Sequence, residues 1–306
     1  MKYFKNPEWI NKTLLQIKNY DSLQEDIFND INYRLDGIIS KKPEVSVIIS
    51  AWNEEVNIIR CIDSLSKLET SIPFEIIVVN NNSTDRTDKS IKKLHVNNFF
   101  QPIQGCGPAR QLGQEQAQGK YILLADADCL YPPKWLDLML EQLKKDQVVC
   151  VYGRYSFLAD SKWLRLKLSI YERMKDLMAE IRAWKRPYLN AYGISMGYLR
   201  EAGLKAGYIQ HNTWGDDGRI AFDMMEYGKI RQVKSAEARV WTGYRSLLRD
   251  GSITNAFITR VFKELLRLGD YFKKKKDHDT HKSANLPHSI DENFQLLKNK
   301  FKRRKK

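Results

Sequence analysis

Short apolar segments alternate with segments of helical periodicity along much of the chain. Four of the apolar segments, at residues 45–50, 75–79, 121–125 and 148–152, are rich in valine, isoleucine and leucine. Between them, apolar side chains recur every three or four residues, as on one face of a helix. Because parallel strands need a crossover, usually a helix, this alternation predicts an α/β fold with a mostly parallel, doubly wound, Rossmann-like sheet.

The pattern differs on either side of this region and divides the chain into three parts. Residues 1–42 are predicted to be a helical, amphipathic N-terminal extension. Residues 43–245 are predicted to form the α/β domain. Residues 246–306 are predicted to form a helical, basic C-terminal extension that is partly disordered.

The composition is that of a chain with a sizeable core. Of its 306 residues, 42% are hydrophobic, which argues against global disorder. No apolar run approaches the roughly 18 residues of a spanning helix, and the N-terminus lacks the apolar stretch of a signal peptide. We therefore expect a cytoplasmic protein. Its four cysteines form no CxxC pair, so we expect reduced thiols rather than a zinc site.

The net charge of +14 restricts the partners that the chain can attract. Nucleic acid, an anionic membrane surface and phosphorylated ligands all fit a basic protein. Much of the excess lies at residues 273–276 and 302–306, where a solvated tail explains it equally well. No nucleic-acid recognition motif accompanies the charge, so we expect no nucleic-acid partner.

Residues 161–184 are predicted to form one long helix with a broad apolar stripe. The stripe includes Trp163, Ile170, Leu177 and Ile181. Packing on the core is the simpler interpretation of such a stripe, and a partner or membrane surface is the alternative.

Polar clusters follow the first two predicted strands, where ligands bind in parallel sheets. The first is Ala51-Trp52-Asn53-Glu54-Glu55, in which an aromatic ring beside polar groups suits a nucleotide base. A helix N-cap explains its asparagine equally well. The second is Asn80-Asn81-Asn82, whose amides can pair with uracil or guanine, or can serve turns and caps.

The cluster Asp126-Ala127-Asp128 follows the third predicted strand. Two carboxylates at a buried strand's end are costly unless a positive charge lies there. A divalent cation that bridges a diphosphate is the simplest compensation, because such a hard cation takes oxygen ligands.

Two further clusters contain glycine. Gly105-Cys106-Gly107-Pro108-Ala109-Arg110 predicts a helix N-terminus beside an arginine, which suits a diphosphate, although Arg110 can instead pair with Asp126 or Asp128. Trp214-Gly215-Asp216-Asp217-Gly218 leads into another helix. Helix capping explains its aspartates, but a tryptophan that stacks on a sugar and a carboxylate that accepts a proton also fit.

Taken in order, these clusters resemble glycosyltransferase family 2 over residues 43–245. Residues 45–55 look like the family's first strand and Tyr-Asn-Glu-type loop, with Trp52 at the aromatic position. Residues 107–128 are similar to its Ala-Arg-Asn helix and DxD strand, with Gln111 in place of asparagine. The Asp216-Asp217 pair matches its Glu-Asp pair, and residues 193–207 match its segment at the donor sugar and acceptor.

The resemblance implies a GT-A-type fold and an inverting, metal-dependent transfer of a single sugar. The donor would be UDP- or GDP-linked, and the acceptor would be a glycan or a lipid-linked molecule in cell-surface glycan or glycolipid synthesis. Its implied residues are the general base Asp217 with Asp216, the ligands Asp128 and Asp126 for Mg²⁺ or Mn²⁺, the donor contacts Ala51, Trp52, Glu54, Asn81, Arg110, Asp126 and Ala127, and the sugar or acceptor contacts Gly193 and Trp214.

Two departures from the family qualify this interpretation. Trp241-Thr242-Gly243-Tyr244 stands where many relatives have a metal-binding histidine, which leaves a third protein ligand unassigned. The QxxRW motif of processive polysaccharide synthases is absent, which favours single-sugar transfer.

A nucleotidyltransferase is the first alternative, but it would have a glycine-rich, basic loop after the first strand, and residues 51–55 are acidic. A non-catalytic nucleotide-sugar-binding protein is the second.

Overall fold

The computed structural model describes residues 5–211 and 215–248. Its strands are β1 (Val45–Ala51), β2 (Phe74–Asn80), β3 (Asn97–Phe100), β4 (Tyr121–Asp126), β5 (Cys129–Leu130), β6 (Val148–Tyr152), β7 (Tyr155–Phe157), β8 (Met196–Leu199), β9 (Lys229–Gln232) and β10 (Val240–Thr242). Its α-helices are α1 (Lys12–Gln16), α2 (Glu25–Ile38), α3 (Asn57–Leu65), α4 (Thr87–Lys92), α5 (Cys106–Gln116), α6 (Trp135–Leu143), α7 (Lys162–Lys185), α8 (Arg200–Ala206), α9 (Asp216–Met224) and α10 (Arg245–Leu248).

The strands form two sheets. The larger has the order β3-β2-β1-β4-β8-β6-β9, and the smaller has the order β5-β10-β7. In the larger sheet, β8 runs antiparallel to β4 and β6, and the other neighbours pair in parallel. The mostly parallel sheet predicted from the sequence is therefore confirmed.

The central strands are buried on both faces because helices cover both sides of the sheet. Ile76 and Leu123 point into one apolar core, whereas Ile77 and Ile122 point into the other. This explains why β1, β2 and β4 consist of nearly continuous apolar residues. Strands β3, β5, β7 and β8 were not predicted. They have two to four residues each and carry too little periodicity to be recognised.

The N-terminal segment is helical, but it is not one helix. α1 and α2 flank a single 3-10 turn at Tyr20–Ser22. α2 buries Phe28, Ile31 and Leu35 against the core of the domain. Residues 83–85 lie in the turn that follows β2, and α4 begins at Thr87. There the carboxylate of Asp85 accepts a hydrogen bond from the Thr87 amide at 2.9 Å.

Helix α7 has the predicted bounds but not the predicted orientation. Trp163, Ile170 and Leu177 are exposed, so core packing was the wrong interpretation for these members of the stripe. The buried face of α7 instead carries Arg165 and Glu172, which form an ion pair. Across residues 5–211 and 215–248, no helix is long and apolar enough to cross a membrane.

Glu75 connects three strands near their amino ends. Its buried carboxylate accepts hydrogen bonds from the Ser46 hydroxyl at 2.6 Å, the Gln118 amide at 2.8 Å and the Asn97 side chain at 2.8 Å. These bonds link β1, β2 and β3 with the residues that lead into β4. They fix the register that brings the opposite ends of the strands together.

Glu75→Leu should lower the free energy of unfolding by about 3 kcal/mol, because the hydroxyl and amide donors lose their acceptor. Chemical denaturation followed by circular dichroism measures the change. The matched control is Glu69→Leu at an exposed position, which should shift stability by less than about 0.5 kcal/mol. Equal effects of the two substitutions would contradict a structural role for Glu75.

Candidate active site

The carboxyl ends of β1, β2 and β4 meet at one edge of the larger sheet. Ala51 pairs with Asn80, and Ser50 pairs with Asp126. The clusters that follow these strands in the sequence are therefore neighbours in space. Parallel sheets bind their ligands at this edge.

A buried arginine joins this edge to the start of α9. The guanidinium of Arg110 donates to Asp126 Oδ1 at 3.2 Å and to Asp217 Oδ1. Only 8% of the Arg110 side chain is exposed. Because a buried cation is stable only when it is paired, the two carboxylates determine where this guanidinium lies. The pairing with Asp126, which the sequence left open as an alternative to diphosphate binding, is present, and Asp217 is a second partner that was not predicted.

Gly193 leaves the space that Arg110 occupies. A Cβ at position 193 would lie 1.9 Å from Arg110 Nη2, so any side chain there would displace the guanidinium. The Gly193 amide also donates to Asp217 Oδ2 at 2.8 Å. Residue 193 therefore contributes to the site through its backbone and through the absence of a side chain.

The two aspartates of the pair play different roles in the structure. Asp217 is 19% exposed and accepts hydrogen bonds on both carboxylate oxygens. Asp216 is buried and accepts from Arg219 at 2.8 Å and from the Ile209 amide at 3.1 Å. Asp216 therefore secures the start of α9 and its neighbouring loop, whereas the partly exposed Asp217 faces the site.

The DxD turn holds its carboxylates in different surroundings. Burial raises the pKa of Asp126 to about 6, against the opposing effect of Arg110. Its amide donates to the buried Tyr131 hydroxyl at 2.7 Å, and Ala127 between the aspartates is buried. Asp128 is 38% exposed and accepts from Arg245 Nη2 at 3.3 Å. The side chains of Asp126 and Asp128 are exposed to a similar extent, 35% and 38%, but Asp126 pairs with the buried Arg110 and Asp128 with the exposed Arg245.

Arg245 also bonds to Glu54, at 2.7 Å. Burial raises the pKa of Glu54, and the side chains of Asn57 and Arg245 oppose that effect. Glu54 is thus held beside Asp128 by a shared cation. Arg245 was not predicted from the sequence, because a lone arginine after the last strand carries no recognisable pattern.

Asp126 and Asp128 suit a divalent cation that is shared with a ligand. Their carboxylate oxygens are the donors that Mg²⁺ and Mn²⁺ prefer. Within the described part of the chain, no three His, Cys, Asp or Glu side chains cluster as a complete protein site. A cation with one or two carboxylate ligands, completed by phosphate oxygens and water, matches this arrangement.

Asn81 does not present a free amide to a base. Its Nδ2 donates to the Ile103 carbonyl at 2.8 Å, and its Oδ1 accepts from the Gly105 amide at 2.7 Å. The Asn81 side chain therefore holds the loop before α5.

Trp52 follows β1 directly, and its side chain is 52% exposed. The Ala51 carbonyl accepts from the Asn81 backbone amide at 2.8 Å. Trp214 lies outside the described residues.

Comparison with known proteins agrees with this arrangement. A model of the family described as "Glycosyl transferase family 2" matches residues 46–203. Hyaluronan synthase of Pasteurella multocida is 34% identical over 123 residues, which are 38% of this chain and 13% of that protein. The putative glycosyltransferase EpsH of Bacillus subtilis is 33% identical over 118 residues, 36% of this chain and 34% of that protein. The chain thus spans a minor part of the length of these relatives.

A solved structure extends the comparison to the whole fold. The mannosyltransferase PcManGT from Pyrobaculum calidifontis, in complex with GDP-Man and Mn²⁺, has a TM-score of 0.57 at 17% identity. The match covers 84% of this chain and 78% of that one. It confirms the predicted GT-A-type α/β fold.

Asp126→Asn should change how the stability of the ligand-free protein depends on pH. Because the folded-state pKa of about 6 lies above the ordinary pKa of an aspartate, about 4, the native state holds this proton more tightly, and stability falls as pH rises from about 4 to about 6. The variant should lose this decline, so its melting temperature relative to the native protein should rise across that window. Thermal denaturation in EDTA measures the difference, with the exposed Asp146→Asn as control. A melting-temperature difference that stays constant between pH 4 and 7 would contradict a raised pKa for Asp126.

Proposed function

Because the chain belongs to glycosyltransferase family 2, we propose that it transfers a single sugar from a nucleotide-diphosphate sugar to an acceptor hydroxyl, with inversion at the anomeric carbon. The observation that carries this proposal is the convergence of Asp126 and Asp217 on Arg110 at the ligand-binding edge of the sheet. It brings a carboxylate at the metal turn and a carboxylate at the α9 N-terminus to opposite sides of one guanidinium.

Asp217 is the proposed general base. It accepts the proton of the acceptor hydroxyl as the oxygen attacks the anomeric carbon. The Gly193 amide and Arg110 hold both of its oxygens, which fixes the direction of the carboxylate. Positioning of this kind is a large part of the rate enhancement in bimolecular transfer.

The leaving nucleoside diphosphate needs positive charge. A divalent cation held by Asp128 and Asp126 would supply Lewis-acid neutralisation of the diphosphate. Arg245 lies at the same turn, 62% exposed, and its guanidinium can exchange Asp128 for a phosphate oxygen. Arg110 is 8% exposed and committed to two carboxylates, so its proposed role is to position Asp126 and Asp217 rather than to bind the donor directly.

The base of the donor is proposed to bind at the ends of β1 and β2. Trp52 offers an exposed ring there, and the backbone around Ala51 offers polar groups. Asn81 would act through the loop that it holds. This assignment leaves both UDP- and GDP-linked sugars as donors.

The acceptor and its location complete the proposal. We propose a glycan or lipid-linked acceptor in cell-surface glycan or glycolipid synthesis, on the cytoplasmic side of the membrane. The excess of 51 lysines and arginines over 37 aspartates and glutamates supports attraction to an anionic membrane surface. The basic runs at residues 273–276 and 302–306 lie outside the described residues.

Asp217→Asn should lower the turnover number by about 10² or more, because the amide keeps the size of the side chain but cannot accept the proton. The affinity for the nucleotide sugar should change little. Calorimetric titration of the donor and release of nucleoside diphosphate in the presence of acceptor separate the two effects. The control is Asp223→Asn, further along the same helix. Transfer by Asp217→Asn at the native rate would exclude Asp217 as the base.

Asp128→Ala should weaken Mn²⁺ binding and remove most donor turnover, because one of the two carboxylates proposed to hold the metal is lost. Isothermal titration with Mn²⁺ and with Mn²⁺ plus nucleoside diphosphate measures binding independently of activity. EDTA should abolish turnover of the native protein. Asp146→Ala serves as control, and full native activity in EDTA would rule out the metal.

A further inference from the structure

Helix α7 buries charged side chains beside Leu168 and Tyr171, and it exposes several large apolar side chains, unlike an ordinary surface helix. Its acidic residues all face the domain and are paired there: Glu172 with Arg165, Asp176 with Arg239, and Glu180 with Arg154. Lys175 lies against the Tyr155 ring, and burial lowers its pKa to about 7. The domain therefore uses the charged face of α7 for packing.

The opposite face of α7 is apolar and exposed. Trp163, Ile170, Leu177 and Trp184 recur every seven residues, and their exposed fractions are 77%, 56%, 60% and 70%. This spacing places them on one line along the helix, which is about 30 Å long between its two tryptophans. A line of four large apolar side chains that are more than half exposed on one helix indicates an interaction site.

The charges beside the stripe have one sign. Lys162 and Lys167 are exposed, and Lys185 closes the helix. The three acidic side chains of α7 are turned away and neutralised by the domain. The exposed face thus combines large apolar side chains, with a tryptophan at each end, and cationic flanks.

We infer that this face of α7 docks on the surface of an anionic lipid bilayer. A helix with an apolar stripe, interfacial tryptophans and lysine flanks lies in the plane of the membrane interface, with its apolar side chains in the acyl boundary. Anionic lipid headgroups complement the lysines, each of which contributes attraction near the surface. The apolar stripe provides a second contribution that salt does not screen.

A short segment connects the C-terminal end of α7 to the site. The helix ends at Lys185, and residues 186–192 lead directly to Gly193, whose amide binds Asp217. Docking through α7 would therefore bring this end of the helix, from which the chain continues to the site, to the lipid headgroups. This inference deepens the proposed function by naming the surface that contacts the membrane. The docking itself does not depend on sugar transfer, but its role in presenting the acceptor rests on the proposed function.

The test compares two fourfold variants of the full chain without donor or acceptor. The first is Trp163→Gln, Ile170→Gln, Leu177→Gln and Trp184→Gln, since glutamine is a good helix former. The control replaces four exposed apolar residues elsewhere with glutamine: Tyr33, Phe100, Met225 and Tyr227. Each is sedimented with vesicles of phosphatidylcholine mixed with phosphatidylglycerol, and with phosphatidylcholine alone, at low and high salt.

The native protein and the control should bind the anionic vesicles, and part of the binding should survive high salt. The α7 variant should partition at least about tenfold less, and its residual binding should vanish at high salt. Brominated acyl chains should quench the tryptophan fluorescence of the native protein more than that of Trp163→Phe with Trp184→Phe. Equal binding by the α7 variant and the native protein would overturn the inference.

Two other occupants of this face give distinct results. If residues 249–306 cover it, the α7 variant should melt well below the native protein without vesicles. If a second copy covers it, sedimentation should show a native dimer that the variant lacks. Either result overturns lipid docking. A melting temperature and a molecular mass of the α7 variant that equal those of the native protein support it. Because no donor is present, the outcome is independent of sugar transfer, which is measured separately with a soluble acceptor.

Discussion

The buried guanidinium of Arg110 is the interaction on which the site depends. Removing a cation from water is costly, so the fold must supply compensating anions at fixed positions. One comes from the end of β4 and the other from the start of α9, two elements 91 residues apart in the sequence, as Asp126 and Asp217. The ion pairs therefore hold the Asp126-Ala127-Asp128 turn and the proposed base Asp217 in one arrangement.

The sequence predicted the elements whose signal is local and periodic. Continuous apolar runs identified β1, β2, β4 and β6, and the residues just after three of them lie at the ligand-binding edge. The sequence did not predict ion pairs between residues that lie far apart along the chain. Neither the double pairing of Arg110 nor the position of Arg245 between Glu54 and Asp128 leaves a trace in residue spacing. Asn81 was predicted to contact the donor base, but its side-chain amide holds the loop before α5. The sequence does not distinguish these roles, because turns and base recognition use the same functional group.

The long helix α7 shows where a periodic signal misleads. Its apolar stripe was real, yet periodicity states only that two faces differ, not which of them meets the protein. The orientation of α7 is set by β7 and by Arg239. The Phe157 amide of β7 donates to Glu172, and Arg239, which bonds to Tyr155 and Ser156 of β7, pairs with Asp176 of α7. Strand β7 has only three residues and was not predicted from the sequence, so the polar surface beneath α7 was not predicted either.

The contact between Gly193 and Arg110 makes these two positions inseparable in any attempt to redesign the site. A methyl group at position 193 would occupy the volume of the Arg110 guanidinium. A shorter residue at position 110 would leave that volume empty and the carboxylates of Asp126 and Asp217 without their cation. Substitutions at contacting positions are not additive. A combinatorial library that randomises one position with the other held constant would sample mostly inactive sequences. New specificities at this edge are reachable only through paired changes, and homologous sequences should show the two positions varying together.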